Sequence, residues 1–203
     1  MRSLSEIDTL SKRASKGIGF SWGVSEEIGK SIRLMELFGL PGLKNLNSYF
    51  KVIKKNQFQN ISLITEVNIS NKIPYCPIIT GINFMDQIHS LEKYNKVIFR
   101  NMAYPILLIP FLSRSSEIIG KRLSFRVENE TFLLNFNQSI HLKSNLSNLK
   151  DKAEILEIEF LKNENTFNEK DWEELYKISE ETFVKENESL KNNAAGAGLT
   201  DND

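Results

Sequence analysis

Cysteine and histidine are scarce in this chain of 203 residues, and their scarcity excludes several classes of site. The single cysteine, Cys76, cannot form an internal disulfide bond or supply a thiolate-based zinc site. The two histidines, His89 and His141, are too few for a histidine-rich metal site. Cys76 lies among apolar residues in IPYCPII, where no nearby residue would lower the pKa of a thiol. We therefore predict a buried, unreactive thiol and no metal site.

Long apolar runs and an excess of one charge are also absent. The longest apolar stretch, YPILLIPFL at 104–112, has about half the length of a bilayer-spanning helix. Lysine plus arginine and aspartate plus glutamate number 26 each, whereas nucleic-acid-binding domains normally carry a basic excess. The N-terminal MRSLSEIDTL lacks the apolar segment of a signal peptide. We expect a cytoplasmic protein with no nucleic-acid partner and no membrane partner.

The first part of the chain, about residues 1–56, carries three predicted helices. Ser3 and Glu6 have the spacing of a capping box, and Ser21 is a plausible cap for a second helix that ends near Phe38. A third helix is predicted from Leu43 to about residue 54. The residues expected on the packed faces of the first two helices are Leu4, Ile7, Leu10, Ala14, Val24, Ile28, Ile32, Met35 and Phe38.

A mixed region follows over about residues 57–162. CPIITGINFMDQIHSLEKY predicts an extended piece that passes through Gly81 into a helix ending near Leu91. Residues 106–119 predict a buried helix in two pieces, interrupted at Pro110 and closed by a glycine. KRLSFRVENETFLLNF predicts a β-hairpin that turns at 128–130, and SIHLK and AEILEIEFLK extend the same alternation.

The order of these elements indicates the fold class. A C-terminal helix over about 168–185, capped by Asn168, is expected to pack through one face, which carries Trp172, Leu175, Tyr176 and Ser179. Because the helices come first and the strands later, we predict an α+β fold: an N-terminal helical layer packed on a mostly antiparallel sheet, with a C-terminal helix and an extended tail. One domain would cover 1–190, followed by a small-residue acidic tail at 191–203.

A glycine-bracketed segment, GFSWGVSEE, is the first candidate site. Free backbone N–H groups at a helix start attract anions, so the segment could bind a carboxylate or a phosphate. The alternative is a well-capped helix whose tryptophan packs in the core and whose acidic residues favour the helix start. The candidate ligand-binding residues here are Gly19, Ser21, Trp22, Gly23 and Glu26.

Arg114 and the C-terminal tail complete the predicted site. Arg114 follows the buried helix in FLSRSS and is the preferred cation for a carboxylate from a metabolite or from the tail. The tail, AAGAGLTDND, could thread a narrow groove because its glycines and alanines lack bulk, or it could simply fray. The tail residues concerned are Gly196, Gly198, Asp201, Asn202 and Asp203.

Two weaker patterns have ordinary alternatives. Asp86 and His89 lie three residues apart on a predicted helix, which suits either a surface pair or an acid–base pair. Helices two and three around FGLPG could form a helix-turn-helix regulator, although the neutral net charge disfavours this. His141 alternates with apolar neighbours and should face solvent.

Residues 16–42, KGIGFSWGVSEEIGKSIRLMELFGLPG, carry a family resemblance. They resemble a bacterial family of about two hundred residues known only as a domain of unknown function, through a glycine-flanked aromatic followed by Ser-Trp-Gly and Glu-Glu. The likeness extends to CPIITG, YPILLIPFLSR and the ending GAGLTDND. The family tail contains an arginine before a longer Gly-Ala run, where this chain has LKNNAAGAG. The resemblance implies that the tail is native and supplies no reaction.

These observations lead to one functional expectation and one alternative. We expect a small anionic metabolite to bind beside the GFSWG segment, with Arg114 supplying charge and the tail docked nearby. The alternative is an accessory protein whose tail is recognised by a partner enzyme or a sister subunit, which would include a homo-oligomer. The sequence leaves open whether the protein is an enzyme and assigns no cofactor.

Overall fold

The computed structural model describes residues 2–53, 57–135, 139–142, 150–162 and 164–182. The chain divides into two compact units, Met1–Asn163 and Glu164–Asp203. Within the described residues, no helix combines the length and the apolar character that crossing a membrane requires. The first unit contains the sheet and all but the last of the helices described below.

The helices of the first unit form a bundle at the N-terminus and a layer against the sheet. Their bounds are α1 (Leu4–Ile18), α2 (Trp22–Leu37), α3 (Gly42–Ile53), α4 (Pro77–Asp86), α5 (Ile88–Leu91) and α6 (Ile109–Ile119). A 3-10 turn, Pro105–Leu108, leads directly into α6, and Gly120 ends α6 in the left-handed conformation. The predicted two-piece buried helix with a glycine stop is therefore confirmed.

Six strands form one mixed sheet. They are β1 (Val67–Ile69), β2 (Lys96–Ala103), β3 (Leu123–Val127), β4 (Glu130–Asn135), β5 (Ser139–Leu142) and β6 (Lys152–Phe160). Their spatial order is β1-β2-β6-β3-β4-β5, and every neighbouring pair is antiparallel except β1 with β2. A mostly antiparallel sheet with N-terminal helices is the predicted α+β class, which is confirmed.

The parallel pair β1 and β2 was not anticipated. The chain leaves β1, passes through α4 and α5, and returns as β2, which is a βαβ crossover. Helix α4 already begins at Pro77, a residue whose missing N–H costs nothing in a first helical turn. The predicted extended piece before Gly81 is therefore wrong, and Gly81 lies inside the helix.

One face of the sheet is buried under the helices. Along β3 and β4 the side chains alternate strictly, so that Phe125 and Phe132 are fully buried while Arg126 is exposed. Helix α6 packs on β3 and β4, and α4 packs on α6. The core of the first unit therefore lies between the sheet and this helical layer.

Helix α1 uses a different face from the predicted one. The capping box of Ser3 and Glu6 is confirmed, and Ile7 is buried as expected. Leu10 is 60% exposed and Ala14 is exposed, so the prediction of their packing is wrong. The buried positions of α1 after Ile7 are Ser11 and Ser15. These side chains are small because α1 lies very close to α2: a Cβ added to Gly29 would be 3.0 Å from the Asp8 carbonyl oxygen.

Helix α2 follows the prediction closely, except at its last apolar position. Ser21 caps it by accepting a hydrogen bond from the Val24 N–H, and Gly39 takes the left-handed conformation just beyond its end. Ile28 and Met35 are fully buried, as predicted, whereas Phe38 is 39% exposed. The end of the helix thus presents its aromatic ring partly to solvent.

The second unit contributes one described helix, α7 (Glu169–Glu180). Asn168 caps it in a capping box with Asp171, so the predicted start is confirmed. Trp172, Leu175 and Tyr176 are each more than half exposed, and Ser179 is exposed as well. Within its own unit, α7 has no second described element to pack against, so its predicted packed side stays a prediction.

Candidate functional site

Three of the six predicted ligand-binding residues line two separate depressions of the first unit. Gly19 and Ser21 line a cavity of about 530 Å³ at the start of α2, which we call the α2 cavity. Arg114 lines a groove of about 390 Å³ with residues of the middle and end of α2, which we call the basic groove. Both volumes lie within the range of small-molecule sites. The prediction of one site that contains both Arg114 and the start of α2 therefore does not match this arrangement.

The loop between α1 and α2 shapes the rim of the α2 cavity. Gly19 has φ of 114°, a left-handed conformation that lets α1 end and the chain reverse within three residues. Its N–H donates to the carbonyl of Lys16, and the N–H of Phe20 donates to Ser15. Ser21 then caps α2. The predicted cap at Ser21 is therefore confirmed, and anion binding by this loop stays a prediction.

Three further residues of the same segment lie outside both depressions. Trp22 is 57% exposed, and the Lys16 Nζ stands 5.4 Å from the centre of its ring. Trp22 does not pack in the core, so that reading is wrong, and its part in a ligand site stays a prediction. Gly23 has open space around its Cα, and Glu26 accepts a hydrogen bond from the Lys12 Nζ at 2.9 Å. Glu26 thus joins α1 to α2.

Tyr49 and Cys76 both line the α2 cavity. The Tyr49 hydroxyl oxygen and the Cys76 Sγ are 2.9 Å apart, and the two residues are 0% and 2% exposed. The sulfur also caps α4 by accepting a hydrogen bond from the Ile79 N–H at 3.4 Å. Burial raises the pKa of the Cys76 thiol even though these hydrogen bonds act in the opposite direction. The predicted buried position of Cys76 is confirmed, and its high pKa keeps it protonated.

One wall of the α2 cavity, formed by Gln57, Phe58 and Asn60, is fixed by backbone hydrogen bonds. Gln59 pairs with Tyr75 as in a parallel sheet, with its N–H donating to the Pro74 carbonyl and its carbonyl accepting from the Cys76 N–H. Tyr75 pairs in turn with Met102 of β2. This short ladder continues the sheet towards the cavity and holds the cavity residues on either side of Gln59. Sequence reasoning missed this wall, because it depends on pairing between distant segments.

Two cations of the basic groove share a carboxylate that bridges two helices. Glu27 on α2 accepts hydrogen bonds from Arg114 on α6 and from the Lys30 Nζ, the latter at 2.7 Å. The side chains of Glu27 and Arg114 are each 20% exposed, so the pair is largely withdrawn from water. Arg33, three residues beyond Lys30 on α2, forms no ion pair with any described residue.

Two effects on Glu27 oppose each other. Its burial alone would raise the pKa of the carboxyl group, but hydrogen bonds from Lys30 and Arg114 and their positive charges outweigh burial. The pKa of Glu27 therefore lies below its usual value. A carboxyl group whose pKa is lowered in the folded state stabilises the fold above its unfolded pKa, and this contribution disappears as the pH falls.

We therefore expect the Glu27→Gln variant to have a flatter acid stability profile than the wild type. The ordinary pKa of this carboxyl group is 4.5. The contribution of Glu27 to the free energy of unfolding is present between pH 7 and that value, and it is lost at lower pH. The variant should be less stable at pH 7 by up to about 1 kcal/mol and should approach the wild type at low pH. Urea unfolding at pH 7 and at a pH well below 4.5 measures this difference. Parallel profiles for the two proteins would contradict it.

Both histidines are exposed and contact polar neighbours among the described residues. His89 Nδ1 lies 3.4 Å from the Glu92 carboxylate, while Asp86 ends the preceding helix, so the predicted Asp86–His89 pair is replaced by another. His141 is exposed, as predicted, and contacts the Asn135 amide. Across the described ranges, no group of three or more His, Cys, Asp or Glu side chains could hold a metal ion.

The tail lies outside the described residues. This applies to Gly196, Gly198, Asp201, Asn202 and Asp203, whose docking stays a prediction.

Comparisons of the chain with curated proteins and with solved structures returned no match. The resemblance to a domain of unknown function is confirmed for the N-terminal part of the chain: residues 2–75 match the model of the family described as "Protein of unknown function (DUF3726)".

Proposed function

We propose that this protein binds a small anionic metabolite in the basic groove between α2 and α6. The observation that carries the proposal is the concentration of charge there: Lys30, Arg33 and Arg114 line the groove, and the one carboxylate paired with them, Glu27, contacts Lys30 and Arg114. Three positive groups against one negative group leave an excess of two positive charges. An anion that enters the groove would therefore find cations that the protein itself does not neutralise.

The position of these cations favours a ligand with a defined geometry. Lys30 and Arg33 project from the same face of α2 as Glu27, and Arg114 reaches this face from α6. An arginine can donate two parallel hydrogen bonds to a carboxylate or a phosphate, which makes Arg33 the first contact for the ligand. Arg114 is held in place by Glu27 and would supply the second positive charge.

The far side of the groove is apolar. Leu34 and Leu37 follow Lys30 at the fourth and seventh positions along α2, so they continue the same face. Leu37 is 58% exposed and would be covered by the aliphatic part of a ligand. The groove therefore suits a carboxylate or phosphate that carries a short apolar chain better than a bare inorganic ion.

The test is a titration of the full chain with hexanoate, acetate and inorganic phosphate, followed by calorimetry. Hexanoate should bind more tightly than acetate because its chain covers the leucines. The Arg33→Gln variant should weaken hexanoate binding by about tenfold, since it removes a charge-assisted hydrogen bond. The Glu27→Gln variant should strengthen it, because Arg114 and Lys30 lose their internal partner.

The matched control is Arg126→Gln. Arg126 is an exposed arginine on the sheet, where it pairs with Glu157, and the variant changes the net charge of the protein by the same amount. Hexanoate affinity should be unchanged in this variant. Equal losses in the Arg33 and Arg126 variants would reduce the effect to net charge and overturn the groove. Absence of hexanoate binding to the wild type would overturn the proposal as well.

The docked tail belongs to the same proposal. Asp201 and Asp203 are acidic, so the tail would compete with a soluble anion for the cations of the groove. Deleting residues 194–203 should then raise hexanoate affinity in the wild type and leave it unchanged in Arg33→Gln. An equal effect in both backgrounds would show that the tail does not act at the groove.

The wider setting of the protein is proposed on the same grounds. A single buried cysteine suits the reducing cytoplasm, and we place the protein there. We retain the alternative role as an accessory protein, in which the tail is recognised by a partner enzyme or a sister subunit, because the exposed apolar side chains of α7 offer additional contact area. We propose a metabolite-binding role for a bacterial protein without assigning it a reaction.

A further inference from the structure

We propose that the anion in the basic groove binds together with a proton, and that Glu27 is the residue that takes up this proton. The anion and the proton would then bind cooperatively, so the groove would hold its ligand more tightly in acid than at neutral pH. This inference rests on the proposed function, since it requires an anion in the groove. The contacts of Glu27 with two cations that line the groove carry it.

Lys30 and Arg114 each have two roles in this arrangement. Both line the basic groove, and both donate a hydrogen bond to the Glu27 carboxylate, Lys30 at 2.7 Å. Because hydrogen bonds to one ammonium group are each about 3 Å long, an anion bonded to Lys30 would lie within about 6 Å of the Glu27 carboxylate. An anion bonded to the guanidinium group of Arg114 would lie little farther away. The groove therefore brings its ligand close to a negative charge of the protein.

The ligand raises the pKa of Glu27 by either of two routes. If it shares Lys30 and Arg114 with Glu27, its negative charge raises the pKa of the nearby carboxyl group directly. If it draws the two cations away, burial is left to raise this pKa without the hydrogen bonds and positive charges that now hold it down. The Glu27 side chain is 20% exposed, so water screens these effects only in part. Both routes favour a proton on Glu27 in the complex.

The charged groups around Glu27 come from α2 and from the helices that pack on it. Among the described residues, the positive charges that act on Glu27 are those of Lys30 and Arg114, and Glu27 acts in turn on its chain neighbour Glu26. Lysine and arginine ordinarily keep their protons between pH 7 and about pH 5. The packed helices also carry Asp8 beside Gly29, Lys12 bonded to Glu26, Lys44, Lys51, Asp86 and Glu117. Glu27 is the carboxyl group that bonds directly to cations of the groove, so the ligand acts on it first.

The sign of the pH dependence follows from this rise in pKa. A carboxyl group whose pKa is higher in the complex than in the free protein binds its proton together with the ligand. The affinity for the anion therefore increases as the pH falls through the pKa of the complex, and it levels off below the pKa of free Glu27, which lies under 4.5. We expect the affinity to rise by about threefold between pH 7 and about pH 5.

The experiment uses hexanesulfonate as the probe, because a sulfonate stays ionised over this whole pH range and hexanoate does not. The full chain is titrated by calorimetry at pH 7 and at about pH 5, each time in two buffers of different ionisation enthalpy. The difference between the buffers gives the number of protons taken up on binding. The wild type should take up a fraction of a proton per anion at about pH 5 and almost none at pH 7.

Two variants assign the proton. Glu27→Gln cannot take it up, so this variant should bind the probe equally well at both pH values and without proton uptake. The matched control is Glu157→Gln on the sheet. Glu157 also accepts hydrogen bonds from one arginine and one lysine, Arg126 and Lys96, which hold its pKa below the usual value. Because Glu157 lies on β6 and not beside the groove, its variant should keep the proton uptake of the wild type.

Three results would overturn the coupling. The first is binding of hexanesulfonate to the wild type without proton uptake at about pH 5, which would leave the groove itself in place. The second is proton uptake that persists in Glu27→Gln, which would assign the proton to another group. The third is an absence of hexanesulfonate binding at both pH values, which would overturn the proposed function as well. The first and third results tell a failure of the coupling apart from a failure of the groove.

Discussion

Replacing Phe99 by alanine should lower the free energy of unfolding by about 3–5 kcal/mol. Phe99 lies in β2, between β1 and β6, where it pairs with Asn68 on one side and Leu156 on the other. Its ring is fully buried and meets the Tyr75 ring edge to face at 6.0 Å. Strands β1 and β6 flank β2, and helices pack on the face of the sheet that carries Phe99. The surrounding structure therefore cannot easily collapse into the space left by the ring.

Urea unfolding followed by circular dichroism measures this loss. The control is Arg100→Ala in the next position of the same strand, whose exposed side chain points to the other face and should change stability by less than about 0.5 kcal/mol. A large loss in both variants would show that any change in β2 destabilises the sheet. A small loss in both would mean that Phe99 is not part of a packed core.

Strand β2 also shows where sequence reasoning stops. Along KVIFRNMA the alternation begins regularly, with Val97 and Phe99 buried, but the next buried residue is Met102, three positions later. Asn101 takes the left-handed conformation with φ of 68°, and its amide nitrogen donates to the Ser70 carbonyl at 2.8 Å. This single residue changes the phase of the strand, and a search for strict alternation cannot find a strand that changes phase.

The helical part was predictable because its signals are local. A capping serine, a glycine in the left-handed conformation and an apolar residue every third or fourth position all act within a few residues. These signals identified the starts of α1 and α2 and the end of α2 correctly. They did not reveal which face of α1 is buried, because that depends on the close approach of α2 at Gly29.

The same distinction applies to the residues of the α2 cavity and the basic groove. Gly19 and Ser21 were identified because a helix start can be recognised from one short segment. The Glu27–Arg114 pair joins residues 87 positions apart, and Tyr49 meets Cys76 across 27 positions. No local pattern encodes such pairs in a single sequence. Arg114 was selected for its charge, and only the fold shows that Glu27 already holds it.

The second large effect concerns the contact between α4 and α6. Replacing Gly81 by alanine should lower the free energy of unfolding by about 2 kcal/mol. An added Cβ would lie 2.5 Å from the Phe111 Cγ and 2.9 Å from the Phe111 Cβ, which is closer than carbon atoms approach without repulsion. Phe111 is fully buried, so its ring has no free space to enter and the two helices have to separate.

The sign of this change follows from comparing two effects. Alanine stabilises a helix by about 1 kcal/mol relative to glycine. Overpacking a core costs about 1–3 kcal/mol, and we expect the upper part of that range here because the added Cβ would lie so close to Phe111. Gly23→Ala in α2 isolates the first effect, since an added Cβ there meets no atom within 4 Å. It should raise stability by about 0.5 kcal/mol, so the two variants should shift the urea midpoint in opposite directions. A midpoint that rises in both would mean that Phe111 gives way, and that α4 and α6 are held apart by other contacts.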